Sequence, residues 1–170
     1  MKRNLLRWAI GIATASLLLG GFSAAAEPPP TAEVLAKLRA SNQKEIEAGK
    51  LAQKNGQSRQ VKDFGKMLVR DHTAADKKVA ALAKQEDVAL AAAEVGSVGD
   101  MAARMTADPD FDQQFARDML EDHKKDIAEV TEARDATQDP KLKKLLSELL
   151  PTLQKHEETA QKILDTEGKR

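Results

Sequence analysis

From residue 31 onward the apolar residues recur at intervals of three and four, the repeat that places side chains on one face of an α-helix. Ala, Leu, Lys, Glu and Gln are abundant and β-branched runs are absent, so local propensity points the same way. The pattern predicts four long helices. The first runs from about Thr31, read as an N-cap with Val34 and Leu35 behind it, to about Lys54, where Asn55-Gly56 supplies a stop. The second starts near Ser58 and carries Val61, Phe64, Leu68, Ala75, Val79 and Leu82 on one stripe to about Lys84. The third opens on Asp108-Pro109 as N-cap and N1, and turns Phe111, Phe115, Met119, Ile127 and Val130 inward. The fourth opens in the same way on Asp139-Pro140, with Leu142, Leu145, Leu149, Leu153, Ala160 and Ile163 facing the core. Pro151 lies within this last helix and is expected to kink it or mark a local break, since proline removes a backbone donor and crowds the preceding turn.

Short links join helices one to two and three to four, so each pair reads as an antiparallel hairpin. Between the hairpins, from Asp87 to Pro109, the pattern loosens around Gly96 and Gly99, with a short helix expected near Asp100 to Met105. A connection of that length can run the whole length of a bundle, which is the connectivity of ferritin-like proteins; a plain up-down-up-down bundle also accommodates it. The expected fold is therefore all-α, a ferritin-like four-helix bundle of two helical hairpins joined by a long connection. An internal echo supports two related hairpins: Phe64-x-x-x-Leu68-x-x-Asp71-His72 matches Phe115-x-x-x-Met119-x-x-Asp122-His123.

The chain ahead of this region has a different character. Lys2, Arg3 and Arg7 precede an apolar run from Trp8 to Phe22 that is short for a membrane span, and Ser23-Ala24-Ala25-Ala26 supplies the small residues that signal peptidase reads. Residues 1–26 are thus expected to be a signal peptide, residues 27–30 a Pro-rich linker, and residues 31–167 the bundle domain. The expected location is the periplasm or cell envelope, with outer-membrane association as one form of it. Without the leader, which holds three of the 27 basic residues and none of the 27 acidic ones, the formal charge is −3. The remaining aromatics are Phe64, Phe111 and Phe115, so neither a basic groove nor a stacking platform for nucleic acid is present. With no cysteine, the chain offers no thiolate chemistry and no disulfide-linked partner.

Three histidines remain, each on the apolar stripe of a different helix. His72 lies between Leu68 and Ala75, His123 between Met119 and Ile127, and His156 between Leu153 and Ala160. Each is about 20 to 25 Å from the nearest end of its helix at the helical rise, so all three are expected to meet at mid-bundle in either topology. Glu45, one turn from Asn42 on the first helix, is the carboxylate expected at that height, and Asp76 and Asp126 lie four and three residues past His72 and His123. Imidazoles and carboxylates converging inside a bundle are what a transition-metal ion needs, which makes His72, His123, His156 and Glu45 the candidate metal ligands. The commoner arrangement is a buried polar layer, with histidines bonded to Asp71, Asp122, Asn42 or Glu45, that fixes helix register, and it ranks first here. Di-iron bundles use two Glu-x-x-His pairs, whereas Val69, Leu120 and Leu153 stand three residues before these histidines, so ferroxidase chemistry is disfavoured. No Gly-rich phosphate loop, nucleophile-elbow serine or His-Glu-x-x-His is present.

The stretch Glu45-Ile46-Glu47-Ala48-Gly49-Lys50-Leu51-Ala52, followed by Val61-Lys62-Asp63-Phe64-Gly65-Lys66-Met67-Leu68-Val69-Arg70-Asp71-His72-Thr73, resembles the exported bacterial family catalogued as domain of unknown function 4142. Phe115 to His123 and Leu149-Leu150-Pro151-Thr152-Leu153-Gln154-Lys155-His156 continue the likeness. The resemblance implies export and a ferritin-like four-helix fold, with members often labelled outer-membrane proteins. It implies no substrate, cofactor or catalytic residue. Three functional classes follow: a non-enzymatic envelope protein that binds a partner or serves stress tolerance, which ranks first; a protein that binds a transition-metal ion; and a bundle that lies on a membrane surface or handles lipid.

Overall fold

The computed structural model describes residues 30–90 and 110–167, and among these the protein is four α-helices without strands. They are α1 (Thr31–Asn55), α2 (Arg59–Gln85), α3 (Phe111–Ala136) and α4 (Pro140–Glu167). The leader, the linker up to residue 29 and the short helix expected near Asp100 to Met105 lie outside the described residues.

The ends of the helices show where local sequence decides. Ser58 caps α2 by accepting the Val61 N–H at 3.2 Å, and Asp139 caps α4 by accepting the Lys141 and Leu142 N–H groups at 2.8 and 3.3 Å, with Pro140 as first helical residue. Two expected starts are displaced. The cap of α1 is Pro30, so Thr31 is already helical, and its hydroxyl donates to Asp139 across the bundle at 3.2 Å. The cap of α3 is Asp110, so the helix begins beyond Asp108-Pro109. The stop at Gly56 holds by a different cause: its φ is −53°, not left-handed, but a Cβ there would lie 2.6 Å from the Ala52 carbonyl oxygen. Pro151 sits on the exposed side of a helix assigned without interruption, so the expected break does not occur.

The helices pack as two hairpins, α1 on α2 and α3 on α4, and the hairpins meet through α2 against α4 and α1 against α3. In the first hairpin, packing depends on two glycines. A Cβ on Gly65 would stand 2.5 Å from the Gly49 carbonyl oxygen, and one on Gly49 would stand 2.6 Å from that of Gly65, so only hydrogen fits where the two backbones cross.

Ion pairs and hydrogen bonds along the seams fix the directions. Ser41 meets Asp126 and Lys44 meets Asp122, so α3 runs antiparallel to α1. Asp71 meets His156, Lys78 meets Glu148 and Glu86 meets Lys141, so α4 runs antiparallel to α2. Accordingly α2 and α3 are parallel and diagonal. The turn between α1 and α2 sits beside the start of α3, where the Gln57 and Ser58 N–H groups donate to the buried Asp112 carboxylate at 2.7 and 2.6 Å. The end of α2 and the start of α3 therefore lie at opposite ends of the bundle. Of the two topologies open to the sequence, the ferritin-like one is realised.

The core divides in two. One cluster gathers Phe64, Leu68, Phe111, Phe115, Met119, Ala160 and Ile163 with small residues of α1; the other gathers Val34, Leu35, Val79, Val130 and the leucines of α4 from Leu142 to Leu153. Phe111 stacks on Phe115 and Phe64 meets Phe115 edge-on, both at 5.9 Å between centroids. Between the clusters, in the middle of the bundle, lies a layer of buried polar side chains: Asn42, Glu45, His72, His123 and His156.

Candidate metal centre

Each ring of the layer is held by a partner on another helix, and His123 by its own helix as well. His72 Nδ1 lies 2.9 Å from the Asn42 amide oxygen, and His123 Nδ1 lies 2.8 Å from the Met119 carbonyl oxygen one turn back on α3. His156 spans the layer, with Nε2 at 3.1 Å from the Asp71 carboxylate and Nδ1 at 3.2 Å from His123 Nε2. The centroids of the three rings are 5.1 to 5.7 Å apart, and one nitrogen from each lies within 4.8 Å of those of the other two.

The electrostatics keep the rings neutral. Burial drives all three imidazoles below their ordinary value, His156 to about 4 despite the Asp71 hydrogen bond that opposes it. The Asp71 carboxyl is pushed upward by desolvation, but its hydrogen bonds to Arg70 and His156 outweigh this and hold it below the usual carboxylate range. Proton placement then follows from the partners. A carbonyl cannot donate, so His123 carries its proton on Nδ1 and its Nε2 is a bare lone pair. With the Asn42 oxygen facing Nδ1, the same holds for His72, whose Nε2 is buried without a hydrogen-bond partner. His156 faces acceptors on both sides, the Asp71 carboxylate and the His123 lone pair, with one proton to share between them.

The other expected residues are placed differently. Glu45 is buried as expected, and desolvation followed by repulsion from Asp122 and Asp126 pushes its carboxyl up to about 8, with Oε2 unpartnered. Among the described residues, the group of donor atoms within 4.8 Å nevertheless comprises the three histidines and not Glu45. Asp126 bonds to Ser41, Asp122 to Lys44, and Asp76 faces Arg39 at 3.9 Å. Neither Asp-His dipeptide forms an internal pair: Asp71 serves His156, on another helix, as the 100° turn between adjacent helical residues requires. Sequence spacing could nominate Asn42 and Asp71 as partners of the layer, but not which ring each would hold.

The fold and its buried layer define the class: a four-helix bundle of ferritin-like connectivity with three imidazoles converging from α2, α3 and α4. The chain belongs to the family described as Domain of unknown function (DUF4142), which it matches over residues 21–163. Searches of curated proteins and of solved structures give no match. Among the described residues no helix is long and apolar enough to cross a membrane.

Proposed function

We propose that this protein is exported to the cell envelope and there binds one divalent transition-metal ion through His72, His123 and His156. The observation that carries the reading is the shortage of protons in the histidine layer. If His156 gives its proton to Asp71, as the charge on that carboxylate favours, then its Nδ1 and the His123 Nε2 are two lone pairs held 3.2 Å apart, next to the bare Nε2 of His72. Protonating His156 fully is opposed by burial, and protonating Asp71 by its two partners. A cation among the three nitrogens resolves the conflict. Each ring's other nitrogen then donates to an oxygen, of Asn42, Met119 or Asp71, which is the outer shell that metal-binding histidines almost always have. A polar layer that only sets register leaves His156, with one proton between two acceptors, one donor short.

Nitrogens on one tetrahedral ion stand about 3.3 Å apart, a spacing the His123–His156 pair already has, whereas a separation as wide as 4.8 Å has to close by roughly 1.5 Å on binding. A single ion bound by neutral imidazoles fits the absence of carboxylates from the group and sets the site apart from di-iron bundles. Export rests on the leader signature in residues 1–26.

Calorimetric titration of untagged protein with zinc, cobalt and copper tests the proposal. One equivalent is expected to bind with a rise in melting temperature, each of His72→Ala, His123→Ala and His156→Ala is expected to abolish it, and Asp71→Asn to weaken it by roughly 10- to 100-fold. Absence of stoichiometric binding, or binding indifferent to the three histidines, would return the layer to a register role.

A further inference from the structure

A cleft reaches the layer. Its lining climbs three helices from near one end of the bundle toward the middle, Val34 to Asn42 on α1, Ala136 to Asp126 on α3 and Leu146 to Leu153 on α4, and meets α2 at mid-height from Asp71 to Ala75. Of the three histidines only His72 lines it, at the upper end beside Asn42, and His72 is the ring with an unpartnered buried nitrogen. The cavity measures about 400 Å³, within the range of sites for small organic molecules. Its walls are largely apolar, supplied by Leu38, Ala75, Val130, Ala133, Leu146 and Leu149. Exposed Lys37, Glu129 and Glu132 line it as well, an excess of negative charge that disfavours an anionic guest.

Three histidine ligands leave a four-coordinate ion one position short, the arrangement of open sites rather than of closed structural ones. We infer that the cleft seats a small neutral or cationic molecule with an apolar body, which enters alongside His72 and gives a nitrogen or oxygen lone pair to the metal's open position. This rests on the metal reading above. The cleft supplies what a closed structural site lacks, a path from solvent and an apolar volume shaped for one guest. No bond in the guest is made or broken in this step; it is ligation in place of water.

Cobalt(II)-loaded protein reports such ligation in its visible spectrum. It would be titrated with imidazole and with 4-phenylimidazole, two neutral probes with the same donor atom. The phenyl ring can bury itself against Ala75, Ala133 and Leu149, so 4-phenylimidazole is expected to bind at least about tenfold more tightly. Ala75→Leu, and separately Ala133→Leu, fill the cleft without touching a ligand; either is expected to erase that preference while cobalt binding and the response to imidazole persist. Loading with cobalt but equal affinity for the two probes, no spectral response to either, or a preference that survives both substitutions overturns the inference and leaves the metal site standing. Failure to bind cobalt at all overturns both.

Discussion

Replacing Glu45 by Gln should make the ion-free protein more stable at neutral pH and steepen its loss of stability in acid. Glu45 has its folded value raised from 4.5 to about 8, chiefly by desolvation and then by Asp122 and Asp126. Between those limits the folded chain holds a proton that the unfolded chain has released. Stability from this group is fully present below about 4.5 and is lost as pH rises through 8, so that at pH 7 the carboxyl costs about 3 kcal/mol. His156 acts in the opposite sense. Its folded value is depressed from 6.5 to about 4, so its contribution is present above 6.5 and falls away as pH drops toward 4, by about 2 kcal/mol between pH 7 and pH 5. Over that same interval Glu45 regains about 2.5 kcal/mol, and the two nearly cancel. Taken alone, these two groups leave little net change between pH 5 and pH 7. His72, held well below 6.5, and His123 add to the histidine side, and Asp126, raised by burial, adds to the Glu45 side, so the wild-type protein is expected to lose some stability on acidification. Glu45→Gln removes the largest opposing group. The variant should gain roughly 2 to 3 kcal/mol at pH 7 and lose about 2.5 kcal/mol more than the parent on acidification to pH 5. Urea denaturation followed by far-ultraviolet circular dichroism, in the presence of a chelator, measures both. A variant no more stable than the parent at pH 7, with the same pH profile, would refute the assignment of Glu45 as a buried neutral acid.

Gly65→Ala should destabilise the protein by about 1 to 3 kcal/mol or more in chemical denaturation, because the new methyl group would meet the Gly49 backbone oxygen at 2.5 Å and the helices must part to admit it. Asp112→Ala should cost roughly 1 to 3 kcal/mol by leaving the Gln57 and Ser58 N–H groups without their acceptor, and hydrogen exchange should quicken first at the turn between α1 and α2. If export follows the leader, intact-mass measurement of protein from the periplasm should show a chain beginning at Glu27, and a dominant species that retains Met1 would count against the assigned location.

The helices themselves are legible in the sequence because their causes are local. Asp139-Pro140 sets the start of α4 through bonds to residues two and three positions on, and of the stripe from Val61 to Leu82 all but the partly buried Ala75 lie in the core. The meeting of His72, His123 and His156 is also a local consequence, since each stands near the middle of an amphipathic stripe and mid-height is the one level that both topologies share. What the sequence left open depends on contacts between residues far apart in the chain. A connection of more than twenty residues can close either topology at little difference in entropy; the pairing of α2 with α4, seen in Asp71–His156 and Lys78–Glu148, is what selects the crossover. The periodicity likewise says nothing of how closely two helices approach, which at Gly49 and Gly65 is fixed by the shape of both backbones together. Spacing along one helix sets only the His123 proton, through the Met119 carbonyl one turn back. For His72 and His156 the partners are oxygens that Asn42 and Asp71 bring from elsewhere in the bundle, and only the folded arrangement leaves His156 with one proton between two acceptors.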